Sequence, residues 1–325
     1  MIGTRTPFRV SFIGGGSDLK EFYSRAPGCV LSTSIDKYMY IFIHPFFDEK
    51  IQIKYSKTEL VENIKDIKHP IVREILSEFN IQGVDINSIA DIPAGTGLGS
   101  SSSYTVGLLH ALQAYRGKIV SPKTLAEKAC YIEIDVLNEP IGKQDQFAAA
   151  YGGLNIIRFL KDGGVKIEPI KMEEDAYKQF QKCLMMFYTG SSRSASEVLI
   201  DQKKNIIGDE DKFNTQLMMT QMVEESKECL VKSNLDEFGE KLDLNWNLKR
   251  TLSKNISNSV FDDIYNLAKN NGAIGGKILG AGGGGFFLFY CPREKQNMLR
   301  NALKKLKEIP FAFEQKGSKI IDMES

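Results

Sequence analysis

A run of glycines and serines directly precedes an apolar, helix-like segment in the first half of the chain. In DIPAGTGLGSSSSYTVGLLHAL, residues 91–112, Gly95, Gly97 and Gly99 alternate with other residues, and four serines follow. Glycine lets the backbone turn tightly and approach a bulky group closely. A helix that begins at the serines would present unpaired backbone N–H groups and the positive end of its dipole. The pattern therefore indicates an anion site, suited to phosphates, at the start of a helix.

The central glycine loop, our name for residues 93–102, lacks the Gly-Lys-Ser/Thr ending of a Walker A phosphate loop. A plain strand, turn and helix with a serine N-cap is the alternative interpretation. Three alternating glycines followed by four serines favour phosphate binding over that alternative. The hydroxyls of Ser100 and Ser101 would then donate to phosphate oxygens or bind a phosphate-bound Mg²⁺.

Two further glycine loops lie near the two ends of the chain. In the N-terminal glycine loop, residues 14–18, three glycines follow the strand-like FRVSFI, and the charges of Arg9 and Asp18 flank them. The alternative there is a tight hairpin with a surface ion pair. The C-terminal glycine loop, residues 280–285, matches G-x-G-x-x-G, but the strand-like FFLFY follows where a dinucleotide site requires a helix. We therefore reject a Rossmann-type dehydrogenase.

Composition argues against several classes of partner. The 42 Lys and Arg residues balance the 41 Asp and Glu residues to a formal charge of +1, so a general nucleic-acid-binding surface is not expected. No apolar run approaches the roughly 20 residues of a membrane span, and the N-terminus lacks the pattern of a signal peptide. Five widely spaced cysteines without a CxxC motif indicate reduced thiols. We expect a soluble, cytoplasmic protein that binds neither nucleic acid nor membrane.

The order of strand-like and helix-like segments predicts an α+β fold. The first fifty residues alternate β-branched and aromatic runs with glycine turns. Helix-like segments follow, and Ser121 with Pro122 forms a helix-entry signal for one of them. The second half changes to one strand, long amphipathic helices, the C-terminal glycine loop and a last helix. At 325 residues, we expect two domains, residues 1–175 and residues 176–325.

In order and spacing, the three loops resemble those of the GHMP superfamily of small-molecule kinases. PFRVSFIGGGSD is similar to the first motif of that family, PAGTGLGSSSS to its Pro-x-x-x-Gly-Leu-Gly-Ser-Ser motif, and LGAGGGGF to its C-terminal glycine motif. Between them, GKQDQ resembles the segment that carries the catalytic aspartate of the sugar 1-kinases. The resemblance implies an N-terminal domain like ribosomal protein S5 domain 2 and a ferredoxin-like C-terminal domain.

Four segments resemble the branch of this superfamily that acts on D-glycero-D-manno-heptose 7-phosphate. They are RTPFRVSFIGGGSDL, GKQDQFAAAYGGLN, YTGSSRSASEVL and GGKILGAGGGGF. The chain departs from galactokinases at Gly15 and Gly16, where those enzymes carry an acidic residue and a histidine that hold the sugar. The branch implies transfer of the ATP γ-phosphoryl group to the anomeric hydroxyl. The resulting 1,7-bisphosphate would feed a nucleotide-activated (GDP) heptose for a capsule or other bacterial surface polysaccharide.

Two alternatives stay open from the sequence. One is a GHMP kinase for another sugar, of the fucose, arabinose or galactose type. The other is a sensor that binds sugar and ATP without catalysis, although the catalytic and metal-binding candidates described next are all present. The sequence is equally compatible with a monomer and a homodimer.

The resemblance implies roles for four side chains at the reacting centre. Asp145, within GKQDQ, would act as base or orient the sugar O1 hydroxyl. Arg9 would keep that carboxylate ionised and offset charge on the phosphoryl group. Ser101 and Glu133 would hold Mg²⁺ through oxygen atoms. Asp135 lies close enough in sequence to compete with Glu133.

The binding residues follow from the same resemblance. The ATP phosphates are expected on the central glycine loop, at Pro93, Gly95, Thr96, Gly97, Leu98, Gly99, Ser100, Ser101 and Ser102. The sugar phosphate is expected at Gly14, Gly15, Gly16, Ser17, Asp18, Gly190, Arg193, Gly282 and Gly283. Arg193 is the leading candidate for the 7-phosphate. Lys249 and Arg250 rank next, although on a helix they are typical of a solvated charged face, and Lys143 is as typical of a surface as of a site.

Overall fold

The computed structural model describes residues 1–191 and 195–321. Its helices, α1–α11 in chain order, span Lys20–Tyr23, Pro70–Phe79, Ser100–Tyr115, Pro122–Cys130, Gln144–Tyr151, Glu174–Cys183, Ala195–Gly208, Glu210–Val231, Leu235–Leu252, Ser259–Asn270 and Gln296–Ala302. Its strands, β1–β12, span Ile2–Ile13, Gly28–Pro45, Ile51–Lys54, Thr58–Val61, Val84–Ala90, Leu154–Phe159, Val165–Pro169, Leu184–Tyr188, Gly275–Ile278, Phe286–Tyr290, Lys307–Glu308 and Lys319–Ile321. Short 3₁₀ turns cover Ile64–Asp66 and Arg293–Lys295, and a π-helix covers Tyr131–Val136.

The first sheet contains eight of the described strands. Its order is β12-β1-β2-β5-β3-β4, and β6 pairs with the first half of β2 and with β7. Its pairs are antiparallel except that of β3 with β5. Strand β1 is buried over most of its length, and α3 packs across it. A charged residue such as Arg9 in this strand therefore lies inside the protein rather than on its surface.

The second sheet has the order β11-β8-β10-β9, and its pairs are antiparallel. Helices α7–α10 connect β8 to β9, and α11 connects β10 to β11. This is the βαββαβ arrangement of ferredoxin-like folds, with extra helices in the first connection. The predicted α+β class and the ferredoxin-like second half are confirmed.

One apolar core crosses from the first sheet to the second. Phe12, at the end of β1, packs against Phe180 in α6 and Phe238 in α9, and both pairs of ring centroids are 5.6 Å apart. A smaller core that includes Trp246 lies in the second half. Because the first core is continuous, the loops at the junction of the two sheets are positioned by both halves of the chain.

Predictions of individual helices and strands agree with the structure where the sequence contains a clear capping residue or a clear strand composition. Ser121 caps α4, and its Oγ accepts a hydrogen bond from the Thr124 N–H at 3.1 Å. FFLFY forms β10, as its composition predicted. The N-terminal glycine loop is not a tight hairpin, because α1 follows it and β2 begins only at Gly28. The domain division at residues 175 and 176 stays a prediction.

The thiols and the helices agree with the composition. All five cysteines are buried and free. No helix in the described ranges combines the length and apolar character needed to cross a membrane.

Candidate active site

The N-terminal and central glycine loops meet at a cavity of about 260 Å³ that residues of both halves line. Six residues predicted for ATP line it: Gly95, Gly97, Gly99, Ser100, Ser101 and Ser102. Three predicted for the sugar also line it: Gly15, Gly16 and Asp18. Arg9 and Asp145, 136 residues apart in sequence, face the same space. The fold therefore brings the central glycine loop, the sugar candidates and the catalytic candidates together.

Arg9 and Asp145 form a two-pronged ion pair in this cavity. The Arg9 Nε donates to Oδ1 at 2.7 Å, and Nη2 donates to Oδ2 at 2.8 Å. The remaining nitrogen, Nη1, donates to the Gly97 carbonyl at 2.6 Å. The Arg9 side chain is 7% exposed and the Asp145 side chain 27%. The pair thus fixes the orientation of the carboxylate while leaving one side of it open.

Helix α3 begins directly beside this ion pair. Its N-cap, Gly99, has a φ of 76°, in the left-handed region that favours glycine. A Cβ at Gly99 would lie 3.2 Å from Asp145 Oδ2 and 3.3 Å from Arg9 Cγ. No side chain caps α3 at Gly99, so the alternative of a serine N-cap is wrong. The first backbone N–H groups of this 16-residue helix are left for an anion.

Glu133 contacts Ser101, which lines the cavity, but neither Glu133 nor its competitor Asp135 lines the cavity itself. Ser101 Oγ donates to Glu133 Oε1 at 2.9 Å, and Gln146 Nε2 donates to Oε2 at 2.7 Å. Glu133 is fully buried, whereas Asp135 is exposed. The π-helix that contains both acids adds a residue to the turn, which turns Glu133 toward α3 and Asp135 outward.

The donor set around Glu133 fits Mg²⁺. Its hydrogen-bond partners are the neutral side chains of Ser101 and Gln146, although it lies in the interior. Burial raises the pKa of the Glu133 carboxyl to about 7, against the opposing effect of those hydrogen bonds. No cluster of three or more His, Cys, Asp and Glu side chains able to hold a metal occurs in the described ranges. Mg²⁺ needs no such cluster, because it takes one or two protein oxygens, substrate phosphates and water.

Asp18 is held at the cavity by backbone donors. Its Oδ1 accepts from the Gly16 N–H and its Oδ2 from the Gln144 N–H, both at 3.2 Å. Burial raises the pKa of Asp18, and the nearby charge of Asp145 raises it further. An acidic group in this position is a suitable acceptor for sugar hydroxyls.

Several predicted binding residues do not line the cavity. They are Pro93, Thr96, Leu98, Gly14, Ser17, Gly190, Gly282 and Gly283. Ser17 Oγ donates to the Cys29 carbonyl at 2.9 Å, and the Gly283 N–H donates to the Ile256 carbonyl at 2.9 Å. These contacts fix the conformation of the two loops. Both residues therefore stabilise the site without lining the cavity.

The candidate cations are placed differently from one another. Arg193, with the serines at 192 and 194, lies outside the described residues. Lys143 Nζ donates to the Gly163 carbonyl at 2.7 Å, which gives it a structural contact. Arg250 pairs with Asp262 at 2.8 Å. The sequence predicted that Arg250 lies on a solvated charged face of its helix. That prediction is partly correct, because the residue is half-buried.

The same expectation is wrong for Lys249. This residue is 3% exposed and lines the cavity, and its Nζ donates to the Gly280 carbonyl at 2.6 Å. The sequence did contain a signal for it, because Lys249 falls at helical spacing with Leu242, Trp246 and Leu252. All three are fully buried on α9.

Two glutamines at the cavity were not found from the sequence. A Cβ on Gly16 would lie 2.2 Å from Nε2 of Gln202, which also donates to Gln216 Oε1 at 3.1 Å. An amide from α7 thus fills space beside the N-terminal glycine loop. Gln144 also lines the cavity, and its buried Nε2 has no hydrogen-bond partner among the described residues.

The C-terminal glycine loop packs against the central one, backbone to backbone. A Cβ on Gly280 would lie 2.6 Å from the Gly97 Cα, and one on Gly285 would lie 2.2 Å from the Thr96 carbonyl oxygen. Both glycines have positive φ, 71° and 91°. Only residues without a side chain allow the two loops to approach this closely.

Two family models match the chain, and together they cover more than half of it. The model of the GHMP kinases N terminal domain matches residues 52–153, and that of the GHMP kinases C terminal matches residues 226–308. The chain belongs to the GHMP kinase family. It is therefore a phosphotransferase with an alcohol group as acceptor, and the two-domain GHMP fold predicted from the sequence is confirmed.

Individual relatives of this GHMP kinase span its whole length. D-glycero-alpha-D-manno-heptose 7-phosphate kinase of Campylobacter jejuni is 28% identical and aligns over 98% of each chain. The crystal structure of a putative sugar kinase from Campylobacter jejuni is 27% identical, with a TM-score of 0.78 and 98% of each chain covered. That of a D-glycero-D-manno-heptose 1-phosphate kinase from Bacteroides thetaiotaomicron has a TM-score of 0.82 at 22% identity, over all of each chain. The last of these shows the shared fold.

Proposed function

We propose that this GHMP kinase transfers the γ-phosphoryl group of ATP to the anomeric hydroxyl of D-glycero-D-manno-heptose 7-phosphate. The observation that carries the proposal is the Arg9–Asp145 ion pair, held against the N-terminus of α3 in a cavity that also contains Asp18. The named activity of the Campylobacter jejuni relative supports a heptose 7-phosphate as acceptor. The absence of a side chain at Gly15 supports an acceptor larger than galactose, whereas the Gln202 amide fills the space beside Gly16.

The chemistry proposed for Asp145 is orientation followed by proton acceptance. Its carboxylate, fixed by Arg9, accepts a hydrogen bond from the sugar O1 hydroxyl and aligns O1 with the γ-phosphorus. As the O1–P bond forms, the bond from the γ-phosphorus to the bridging oxygen of ADP breaks. The O1 proton passes to Asp145 late in the step and then to water. Arg9 offsets the negative charge on the phosphoryl oxygens.

The central glycine loop would hold the phosphates of ATP. Backbone N–H groups of Gly97, Gly99 and the first turn of α3 would donate to them, with the helix dipole adding to the attraction. Ser101 and Glu133 would hold Mg²⁺ on one side of this loop. When bound, the ion would neutralise charge on the β- and γ-phosphate oxygens.

The proposal is tested by measuring ADP release with a panel of acceptors. The panel contains heptose 7-phosphate, the dephosphorylated heptose, fucose, arabinose and galactose, and each product is examined for loss of its reducing end. We expect turnover of heptose 7-phosphate to exceed that of every unphosphorylated sugar, with the reducing end blocked in the product. Efficient turnover of a plain sugar, with none of heptose 7-phosphate, would identify another sugar kinase.

Asp145 supplies the matched test of mechanism. Asp145→Asn and Asp145→Ala should each lower kcat by about 10²–10⁴-fold, because the O1 proton loses its acceptor. Asp135→Asn, an exposed acid on the neighbouring π-helix, should leave kcat unchanged. Near-normal turnover in both Asp145 variants would show that another group takes the proton. Sugar and ATP binding with no turnover in the unaltered protein would indicate a sensor.

A further inference from the structure

Lys249 is a buried cation that the mechanism above does not use. It lies on α9 in the second half of the chain, yet its side chain reaches the cavity that holds Arg9 and Asp145. Arg250, the next residue, forms an ion pair with Asp262. Lys249 instead donates its one described hydrogen bond to a neutral acceptor, the Gly280 carbonyl. A lysine taken out of water at this depth needs an anion to offset the loss of hydration.

The Lys249 ammonium lies where the three glycine loops approach one another. A Cβ on Gly15 would be 4.0 Å from its Nζ, which places the amine beside the N-terminal glycine loop. Its acceptor, Gly280, touches Gly97 of the central glycine loop. Arg9 donates to the Gly97 carbonyl at 2.6 Å. The two cations therefore each hold one of the two glycine loops, at the residues where those loops touch.

The charged groups that face Lys249 come from four elements. Arg9 on β1 repels its charge, while Asp18 after β1 and Asp145 on α5 attract it. Lys277 on β9 also faces it, and burial, followed by the charge of Lys249, lowers the pKa of Lys277 well below its usual value. Asp145 is already held by both prongs of Arg9 and Asp18 by two backbone N–H groups. Burial, followed by repulsion from Arg9, lowers the pKa of Lys249 to about 8. The environment is thus short of negative charge until a phosphate enters.

We propose that Lys249 donates hydrogen bonds to the phosphoryl group during its transfer, as a second cation in addition to Arg9. This inference rests on the proposed function and adds a catalytic residue from the second half of the chain. One ammonium hydrogen remains on the Gly280 carbonyl, and the other two bind a non-bridging oxygen of the group in transfer. Lys249 keeps its proton throughout, since the O1 proton goes to Asp145. Its bond to Gly280 also fixes the ammonium against the C-terminal glycine loop.

Steady-state kinetics of Lys249→Met and Lys249→Arg test this role. Lys249→Met should lower kcat by about 10²–10³-fold, the loss typical of removing one donor to a transition-state oxyanion. The loss should be the same with heptose 7-phosphate and with any other acceptor that the unaltered enzyme uses, and the Kd for ATP should change less than threefold. Lys249→Arg should recover part of kcat. Normal turnover in Lys249→Met would overturn the proposal.

A different pattern would assign Lys249 to the acceptor phosphate instead. In that case Lys249→Met would raise KM for heptose 7-phosphate alone and leave kcat unchanged, which also overturns the proposal. Failure of the proposed function is distinguished from failure of this inference by the acceptor panel, in which the unaltered enzyme would then turn over another sugar. The Lys249 variants would be assayed with that sugar, and the expected kcat loss would be the same.

The pH profile separates this role from a merely structural one. The active form is the ammonium, so kcat/KM for ATP should fall as the pH rises through about 8, where free Lys249 loses its proton. Lys249→Arg should lack this fall, because a guanidinium stays charged in that range. The same fall in Lys249→Arg would show that another group titrates, and the proposal would be wrong. This readout uses a folded, active variant even if Lys249→Met proves unstable.

Discussion

Two acidic side chains that line the cavity, Asp18 and Asp145, and one behind it, Glu133, are held by three kinds of donor, which suits them to different tasks. Asp145 is fixed by a guanidinium, Asp18 by backbone N–H groups, and Glu133 by a hydroxyl and an amide. A carboxylate paired with Arg9 stays oriented without any ligand. A buried carboxylate with only neutral partners is unfavourable until a cation arrives. Glu133 is therefore the acid whose state should respond most to Mg²⁺ and ATP.

Glu133→Gln should stabilise the ligand-free protein at alkaline pH and impair catalysis. Burial raises the pKa of Glu133 from 4.5 to about 7, so the protonated form is favoured by folding. Its contribution to stability is complete below about pH 4.5 and is lost as the pH rises through 7. At pH 8, the variant should gain about 1–3 kcal/mol in free energy of unfolding. At pH 5 most of this difference should disappear, as measured by urea denaturation.

The exposed neighbour provides the control for this prediction. Asp135→Asn removes the same charge from the same π-helix and should change neither the pH dependence nor kcat. In Glu133→Gln, the concentration of Mg²⁺ that gives half-maximal activity should rise at least tenfold. A variant that is less stable than the unaltered protein at pH 8, or one with normal Mg²⁺ dependence, would contradict the role assigned to Glu133.

The meeting of three candidate site residues at one cavity was predictable because their motifs are local, while their roles stay a proposal. Arg9, Asp145 and Ser101 each lie inside a short recognisable segment, and the structure brings all three to one cavity. The sequence favoured Glu133 over Asp135 as the metal ligand but did not decide between them. The choice depends on a π-helical turn, which packs against α4 and α2 and which the composition of the segment does not indicate. Lys249 was ranked low among the candidate cations because a charged residue on a helix is usually solvated. Its helical spacing with the buried residues of α9, which indicated burial, was given less weight.

Among the elements, the central and C-terminal glycine loops act as one unit. They belong to different halves of the chain, and their backbones touch at Gly97 and Gly280 and again at Thr96 and Gly285. The sequence showed two glycine-rich segments but not that they meet, because loops have no periodicity from which a partner could be inferred. Their contact explains why glycine is needed in both loops at positions of positive φ.

Gly280→Ala should disrupt this contact and lower activity. A Cβ there would lie 2.6 Å from the Gly97 Cα, and an alanine at a φ of 71° is strained even without that clash. We expect a loss of about 1–3 kcal/mol in free energy of unfolding, since the strained φ alone is worth that much. We also expect a fall in kcat of more than tenfold, because the acceptor of Lys249 moves. Urea denaturation and steady-state kinetics measure the two effects.

Gly208→Ala is the matched control. Gly208 is the last residue of α7, its φ is not in the left-handed region, and no atom lies within 4 Å of a Cβ there. The change should leave kcat unaltered and stability within about 1 kcal/mol, the scale of the Gly-to-Ala difference in helix propensity. If Gly280→Ala behaves like Gly208→Ala, the two loops do not need their close contact.

At the scale of the whole molecule, the last described residues return to the first sheet. Strand β12 pairs with β1, where Gly3 lies opposite Ile321. Glu314 forms backbone hydrogen bonds to Ser34 and Gly153. This return could not be predicted from the sequence, because three residues are too few to carry a strand pattern and the partner is about 300 positions away. The separation into residues 1–175 and 176–325 therefore needs a test of its own.

A chain that ends at Pro310 provides that test. It lacks β12 and the segment before it, including Phe313, whose ring lies 5.6 Å from Phe180 and 6.5 Å from Phe12. The first sheet should become less stable, because its edge strand and part of the shared core are removed. Trp246, the one tryptophan, lies in the core of the second half and reports on that half alone. Far-ultraviolet circular dichroism reports on both halves.

In the full chain, both signals should change at the same urea concentration, because the core around Phe12 joins the two sheets. In the shortened chain, part of the circular dichroism change should move to lower urea, while the Trp246 fluorescence transition moves less. If residues 1–175 form a domain that folds without the C-terminal segment, removal of residues 311–325 would leave both transitions in place. That result would uphold the division at residue 175. The expected separation of the two transitions would instead make residues 312–321 part of the N-terminal domain.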